Sequence, residues 1–130
     1  MFASIVILLW VGHLLADYPF QTDHQAGCKA QPGVVGWAAN LTHAATHVLT
    51  CGVLLAGGTL ALGWRLPLLP VVVAVGWIGV THAVIDRRWP VRWWMEHAGQ
   101  RQFIEHGGMA HVDQTAHIVA LAAAALYLAA

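Results

Sequence analysis

Apolar residues run through this chain in four long stretches, residues 2–18, 34–62, 67–86 and 109–130. Polar residues are confined to the intervening segments and to a few positions inside the stretches. Each stretch approaches the ~20 residues with which a helix crosses ~30 Å of hydrocarbon at ~1.5 Å per residue. The pattern predicts an all-α fold: an integral membrane four-helix bundle, up-and-down, in which residues 1–130 form one transmembrane domain. The first stretch is the shortest and competes with a secretory leader. It lacks a basic start and an Ala-x-Ala exit and carries His13 and Asp17, so the expectation is a retained span.

The connections differ on the two sides. Only Gly63-Trp64-Arg65-Leu66 separates the second and third stretches, ahead of Pro67, which suits a first helical turn. The polar mass lies in residues 19–33 and 87–108, which share one face if the spans alternate in direction. Within it, residues 89–106 read as one amphipathic helix at headgroup level, because Trp89, Trp93, Trp94 and Phe103 interleave with Arg92, Glu96, His97, Arg101 and Glu105. Gly107-Gly108 then frees the chain to turn. Lys29, Arg87, Arg88, Arg92 and Arg101 fall on this face and only Arg65 on the other. The positive-inside tendency therefore predicts an inner (plasma) membrane protein with this face in the cytoplasm and both termini outside.

Composition sharpens the picture. With 58% hydrophobic and 9% charged residues and a mean hydropathy of +0.62, a water-soluble monomer is excluded and the lipid bilayer is the expected partner; an oligomer stays open. A formal charge of zero gives no basic surface for nucleic acid. Cys28 and Cys51 are too few and too far apart for a disulfide framework or a Cys-x-x-Cys site. His outnumbers every other titratable type, so the chemistry to look for is that of imidazole and carboxylate.

Those groups are not scattered. His13 and Asp17, His43 and His47, His82 and Asp86, and Asp113 and His117 place one pair in each stretch, always spaced i, i+4, which puts both side chains on one side of a helix. Random placement would give roughly one such pair in a chain of this length. The pairs also fall at the end of the first stretch, the start of the second, the end of the third and the start of the fourth. In an up-and-down bundle these ends meet, so all eight groups converge at one level, within about two turns of the cytoplasmic face.

Cost indicates what they are for. One Asp inside a membrane helix costs roughly 2.5 to 3.5 kcal/mol on insertion scales, and eight unpaired polar groups would consume much of the stability of so small a fold. Divalent metal attracts the carboxylates and accepts imidazole lone pairs. Two His at i, i+4 is also how one helix gives two ligands to a metal. His13, Asp17, His43, His47, His82, Asp86, Asp113 and His117 are therefore the expected ligands of one or two divalent transition metal ions. Mixed nitrogen and oxygen donors without thiolate suit zinc, iron or manganese.

Around them, Asn40 and Cys51 extend the face of His43 and His47, Asn40 as support for the ligands and Cys51 as a small buried residue. Gln21 and Gln114 stand beside the pairs, where either could orient a water or a substrate group. His24, His97 and His106 read as solvated, with His111 near enough to Asp113 to be an outer ligand. Thr42, Thr46, Thr50 and Thr81 are expected to bond back within their helices. Gly12, Gly36, Gly52, Gly57, Gly76 and Gly79 are expected at close helix contacts.

His13-Leu-Leu-Ala-Asp17 with Gln21, His43-x-x-x-His47, His82-x-x-x-Asp86 and Asp113-Gln114-x-x-His117 together resemble a family of small uncharacterised membrane proteins found in bacteria and their phages, over nearly the whole chain. The His-x-x-x-Asp spans are also similar, on one short motif, to inner-membrane proteins described as metal-dependent hydrolases. The leading expectation is a membrane-embedded metal-dependent hydrolase acting near the cytoplasmic headgroup level on a phosphate ester or lipid-linked substrate. Asp17 or Asp86 would be the base, with Gln21 and Gln114 assisting, and Arg87, Arg88 and Arg92 would contact substrate. The alternatives are a His-rich di-iron oxidoreductase, a metal or proton transport protein, and a non-catalytic accessory membrane subunit.

Overall fold

The computed structural model describes residues 1–130. It has seven helices and no strands: α1 (Phe2–Asp17), α2 (Asp23–Cys28), α3 (Gly33–Leu62), α4 (Leu68–Ile85), α5 (Trp89–His97), α6 (Arg101–Glu105) and α7 (Met109–Ala129). Three of them, α3, α4 and α7, are long and apolar enough to cross a membrane. At 16 residues, α1 is about 24 Å long and shorter than its neighbours.

The four apolar helices close into a ring in the order α1, α3, α4, α7, each packed on the two beside it. Away from the polar end the centre is dry: Ile5, Leu9, Cys51, Leu55, Ala74, Val75, Ile78, Leu121, Ala124, Ala125 and Leu128 form one continuous core. The outer surface carries Ile7, Leu49, Leu60, Leu69, Val80 and Val119 in the open, as expected where lipid takes the place of water.

Close approach at glycine holds only in part. A Cβ at Gly12 would lie 3.0 Å from Cys51 Sγ and one at Gly79 would meet Val48, whereas one at Gly36 would run into the backbone of Gln31 in the turn that leads into its own helix, which is not a contact between helices. Gly52, Gly57 and Gly76 have open space beside them, so the expected contacts are absent there. Gly58, where a Cβ would strike Leu8, is a contact that the glycine spacing did not single out. Cys51 is the small buried residue expected, its Sγ 3.7 Å from the Leu9 carbonyl.

The polar end is more structured than the sequence suggests. Thr22 caps α2 with a reciprocal pair: its hydroxyl accepts from the Gln25 N–H at 3.2 Å, and its own N–H donates to Gln25 Oε1 at 3.0 Å. The single amphipathic helix expected over residues 89–106 is broken into α5 and α6. Gly99, at φ +74°, takes the left-handed position after α5, and the Gln100 N–H closes back on the Met95 carbonyl at 2.9 Å, the closure that ends a helix where only glycine avoids strain. Val91 and Met95 bury one face of α5, while Trp89, Trp93 and Trp94 stay exposed.

Candidate metal centre

The His and Asp pairs of the four ring helices do meet, but not all at helix ends. His13 and Asp17 sit on the last turns of α1, His82 on the last turn of α4 with Asp86 just after it, and His117 on the third turn of α7. His43 and His47 instead lie well inside α3, His47 near its middle and deeper than the two turns expected, because α3 starts as far back as Gly33 and so overshoots its neighbours at this end. The five imidazoles are at most 3% exposed and Asp86 is 4% exposed.

Two carboxylates organise the cluster. Asp17 Oδ1 lies 3.1 Å from His43 Nε2, 3.2 Å from His47 Nε2 and 3.8 Å from His82 Nε2, and its Oδ2 lies 3.1 Å from His13 Nε2. Asp86 Oδ2 lies 3.1 Å from His82 Nε2 and 3.5 Å from His43 Nε2, with Oδ1 3.9 Å from His117 Nε2. All five rings therefore present the same nitrogen to the centre. The donor atoms fall into two overlapping groups that share His82, one of Asp17, His43, His47 and His82 and one of His82, Asp86 and His117, each with its atoms within 4.8 Å of one another.

The hydrogen-bond pattern fits a cation better than it fits self-satisfaction. His117 Nδ1 lies 3.0 Å from the Asp113 carbonyl, which can only accept, so Nδ1 carries the proton. In the neutral ring the Nε2 lone pair then faces a carboxylate oxygen of Asp86, and two acceptors oppose each other unless a positive charge lies between them. His13 Nε2, His82 Nε2 and His117 Nε2 are buried without an aligned hydrogen bond, although such groups are ordinarily paired. Lone pairs and carboxylate oxygens converging in a buried space could hold a divalent ion.

Seven of the eight expected ligands converge and one stands apart. Asp113 is 23% exposed at its side chain and approaches only His117 Nδ1, at 3.5 Å. At the start of α7 it lies toward the rim of the bundle, where it lines a recess with Lys29, Asp86, Arg88 and Arg92. Gln21 is placed as expected, its Nε2 3.1 Å from His43 Nε2, and Gln114 neighbours His13. Asn40 is fully buried and donates to the Ala83 carbonyl at 3.1 Å, fastening α3 to α4 beside the cluster.

Two basic residues take roles other than those expected. Arg87 does not line the recess that holds Arg88 and Arg92: Nη1 and Nη2 donate to the carbonyls of Lys29 and Gln31 at 2.9 and 2.8 Å, and the guanidinium lies 4.4 Å above the Trp37 ring. Its fixed fork suits it to gripping two carbonyls of the segment before α3. Lys29, read from sequence only as a topology signal, reaches into the site, with Nζ 2.9 Å from Asp86 Oδ2 and 3.1 Å from His43 Nε2. A lone Lys in a polar connection gives no periodic signal, and its position depends on the Arg87 clamp. His111 is exposed, with its ring 6.3 Å from that of Phe103, and is not an outer ligand. His97 and His106 bond the carbonyls of Trp93 and Gln102 on the exposed surface.

An all-α bundle of apolar helices around a buried imidazole and carboxylate centre is the class that fold and site define. The chain belongs to the family described as Protein of unknown function (DUF3307), whose model matches residues 5–130. No curated protein and no solved structure matches it.

Proposed function

We propose that this chain is a multi-pass protein of the inner (plasma) membrane in which α1 is a fourth span, and that it is a metal-dependent hydrolase working at the cytoplasmic headgroup level with both termini outside. The observation that carries the reading is the convergence of five imidazole Nε2 atoms on Asp17 and Asp86, three of them buried without an aligned hydrogen bond. Asp17, His43 and His47 would hold one ion and Asp86 and His117 a second, with His82 within reach of both positions and His13 beside Asp17; the metal would be zinc, iron or manganese. When bound, such ions neutralise the carboxylates and supply a water acidic enough to attack an ester near neutral pH.

The chain's own groups divide the remaining work. Asp86 is the better placed base, because it borders the recess open to substrate, whereas Asp17 is ringed by imidazoles. Its free oxygen accepts the proton of the attacking water and returns it to the leaving group. Lys29, beside Asp86, holds that carboxylate in place. Gln21, against His43, can donate to an oxygen on the attacked group. Arg88 and Arg92 line the same recess and would contact substrate.

The two-group arrangement also suits a di-iron oxidoreductase, which an iron-dependent absorption band and oxygen consumption would reveal. Conduction is disfavoured by the apolar core, which leaves no polar path through the bundle beyond Leu9 and Cys51. The test is elemental analysis of detergent-purified protein beside His47→Ala and Asp86→Ala, followed by assay on soluble and lipid phosphate esters. Metal in the parent that both variants lose, together with metal-dependent hydrolysis, supports the reading. Metal-free parent protein of normal stability overturns it.

A further inference from the structure

One side of the bundle carries two adjoining features that metal binding does not require. The first is the recess at the polar end, lined by Lys29, Asp86, Arg88, Arg92 and Asp113. Three cations oppose two carboxylates there, an excess of one positive charge. Lys29 is already engaged with Asp86 at 2.9 Å. Arg92 Nε reaches Glu96 Oε1 at 3.0 Å, but both side chains are largely exposed, and such a pair exchanges readily for a better acceptor. Arg88 is the one non-glycine residue at positive φ, +62°, at the reversal between α4 and α5. A side chain is strained there.

The second feature is a groove between α4 and α7, with Trp77, Thr81 and Ile85 on one wall and Ala116, Ala120 and Ala123 on the other. It continues past Val73 and Tyr127. The small side chains of α7 open it, and the Trp77 indole N–H, donating to the Ala120 carbonyl at 3.0 Å, braces it. From Ile85 to Val73 the helix rises about 18 Å, close to the ~15 Å depth of one leaflet's hydrocarbon. Along α7, Met109 and Asp113 of the recess and Ala116, Ala120 and Ala123 of the groove follow one another at spacings of three and four, so they share one helix face.

We infer that this face binds one glycerophospholipid, with its phosphodiester in the recess on Arg88 and Arg92 and one acyl chain along the α4–α7 groove. With Glu96 on Arg92 the charges around the recess balance, so a singly charged phosphodiester is accommodated at less electrostatic cost than a doubly charged phosphate monoester. The apolar groove leading from the recess selects a lipid over a soluble phosphate. Because Asp86 belongs both to the recess and to the donor cluster, the phosphodiester lies beside the proposed metal centre. Assignment of this lipid as the substrate rests on the hydrolase reading, whereas the binding site does not.

The test is native mass spectrometry of the full chain after exchange into vesicles of dioleoyl phosphatidylglycerol, with inorganic phosphate and a water-soluble phosphodiester as competitors, and with metal content and lipid hydrolysis measured on the same samples. Retention of one lipid per chain is expected, undisturbed by either competitor. Arg92→Gln and Ala123→Phe should each lower retention about tenfold while leaving metal content unchanged; Ala123 is exposed, so its replacement fills the groove without disturbing the core. Displacement by inorganic phosphate, or retention by both variants equal to that of the parent, overturns the lipid site. Lipid retained with metal bound but never hydrolysed overturns the substrate assignment and leaves the lipid site standing.

Discussion

The imidazoles of His47 and His82 lie nearly face to face across the α3–α4 seam, with ring centroids 3.4 Å apart and planes 28° from parallel. Neither ring can turn without displacing the other, and Asn40 pins the same seam to the Ala83 carbonyl. Two of the proposed ligands, on different helices, are thus already oriented for an ion. Such preorganisation lowers the cost of assembling a coordination sphere.

His82 belongs to both donor groups and His47 to one. His82→Gln is therefore expected to lower bound divalent metal more than His47→Gln, by at least about tenfold. Elemental analysis of protein equilibrated with buffered metal measures this. In the parent, retention should fall on acidification, because imidazole ligates only when neutral. Retention that survives full protonation of the imidazoles in strong acid, with the protein still folded, would argue against imidazole ligands.

Lys29 supplies the cation beside Asp86. Lys29→Met should destabilise the protein by about 3 kcal/mol in chelator, since removing one partner leaves a buried charge uncompensated. Saturating divalent metal should recover most of that loss by replacing the missing charge. Thermal unfolding in detergent, with and without metal, reads the difference, and an equal loss in both conditions would contradict it.

Arg87→Lys should cost about 2 kcal/mol, because an ammonium cannot span the Lys29 and Gln31 carbonyls as the guanidinium does. Loosening that clamp also frees Lys29, so hydrogen exchange should rise across residues 23–32 and leave the centre of α7 unchanged. Protection that stays constant in that segment would show the clamp to be dispensable.

Gly79 and Gly52 look alike in the sequence and differ in space. Gly79→Val would push against Val48 and should destabilise by about 1–3 kcal/mol. Gly52→Ala enters open space and should be neutral or stabilising by up to about 1 kcal/mol, since alanine favours a helix interior. Unfolding midpoints of the two variants, measured side by side, provide the check.

Most of the donor cluster was legible because its signal is periodic. A pair at i, i+4 can be recognised from sequence, and alternation of helix direction brings His13 and Asp17 to the level of His43, His47, His82 and His117. Asp113 carried the same spacing and still fell outside, because spacing fixes a helix face but not how near that face lies to the axis. Lys29 and the true role of Arg87 were illegible, since both depend on where a nonperiodic connection folds back. The break between α5 and α6 had a local signal in Ala98-Gly99, overridden by the continuity of Trp and Arg around it. Of the glycines, only packing distinguished Gly12, Gly36 and Gly79, which meet a neighbour, from Gly52, Gly57 and Gly76, which do not.

The continuous apolar core from Ile5 to Leu128 also fixes the kinetics of the cluster beside it. With Leu9, Leu55, Ile78 and Leu121 sealing one direction, an ion held in the proposed centre would enter and escape through the opposite end, beside α2 and α5, so metallation would be one-sided. In sealed vesicles, a membrane-impermeant chelator would then strip the protein only from the compartment that can load it.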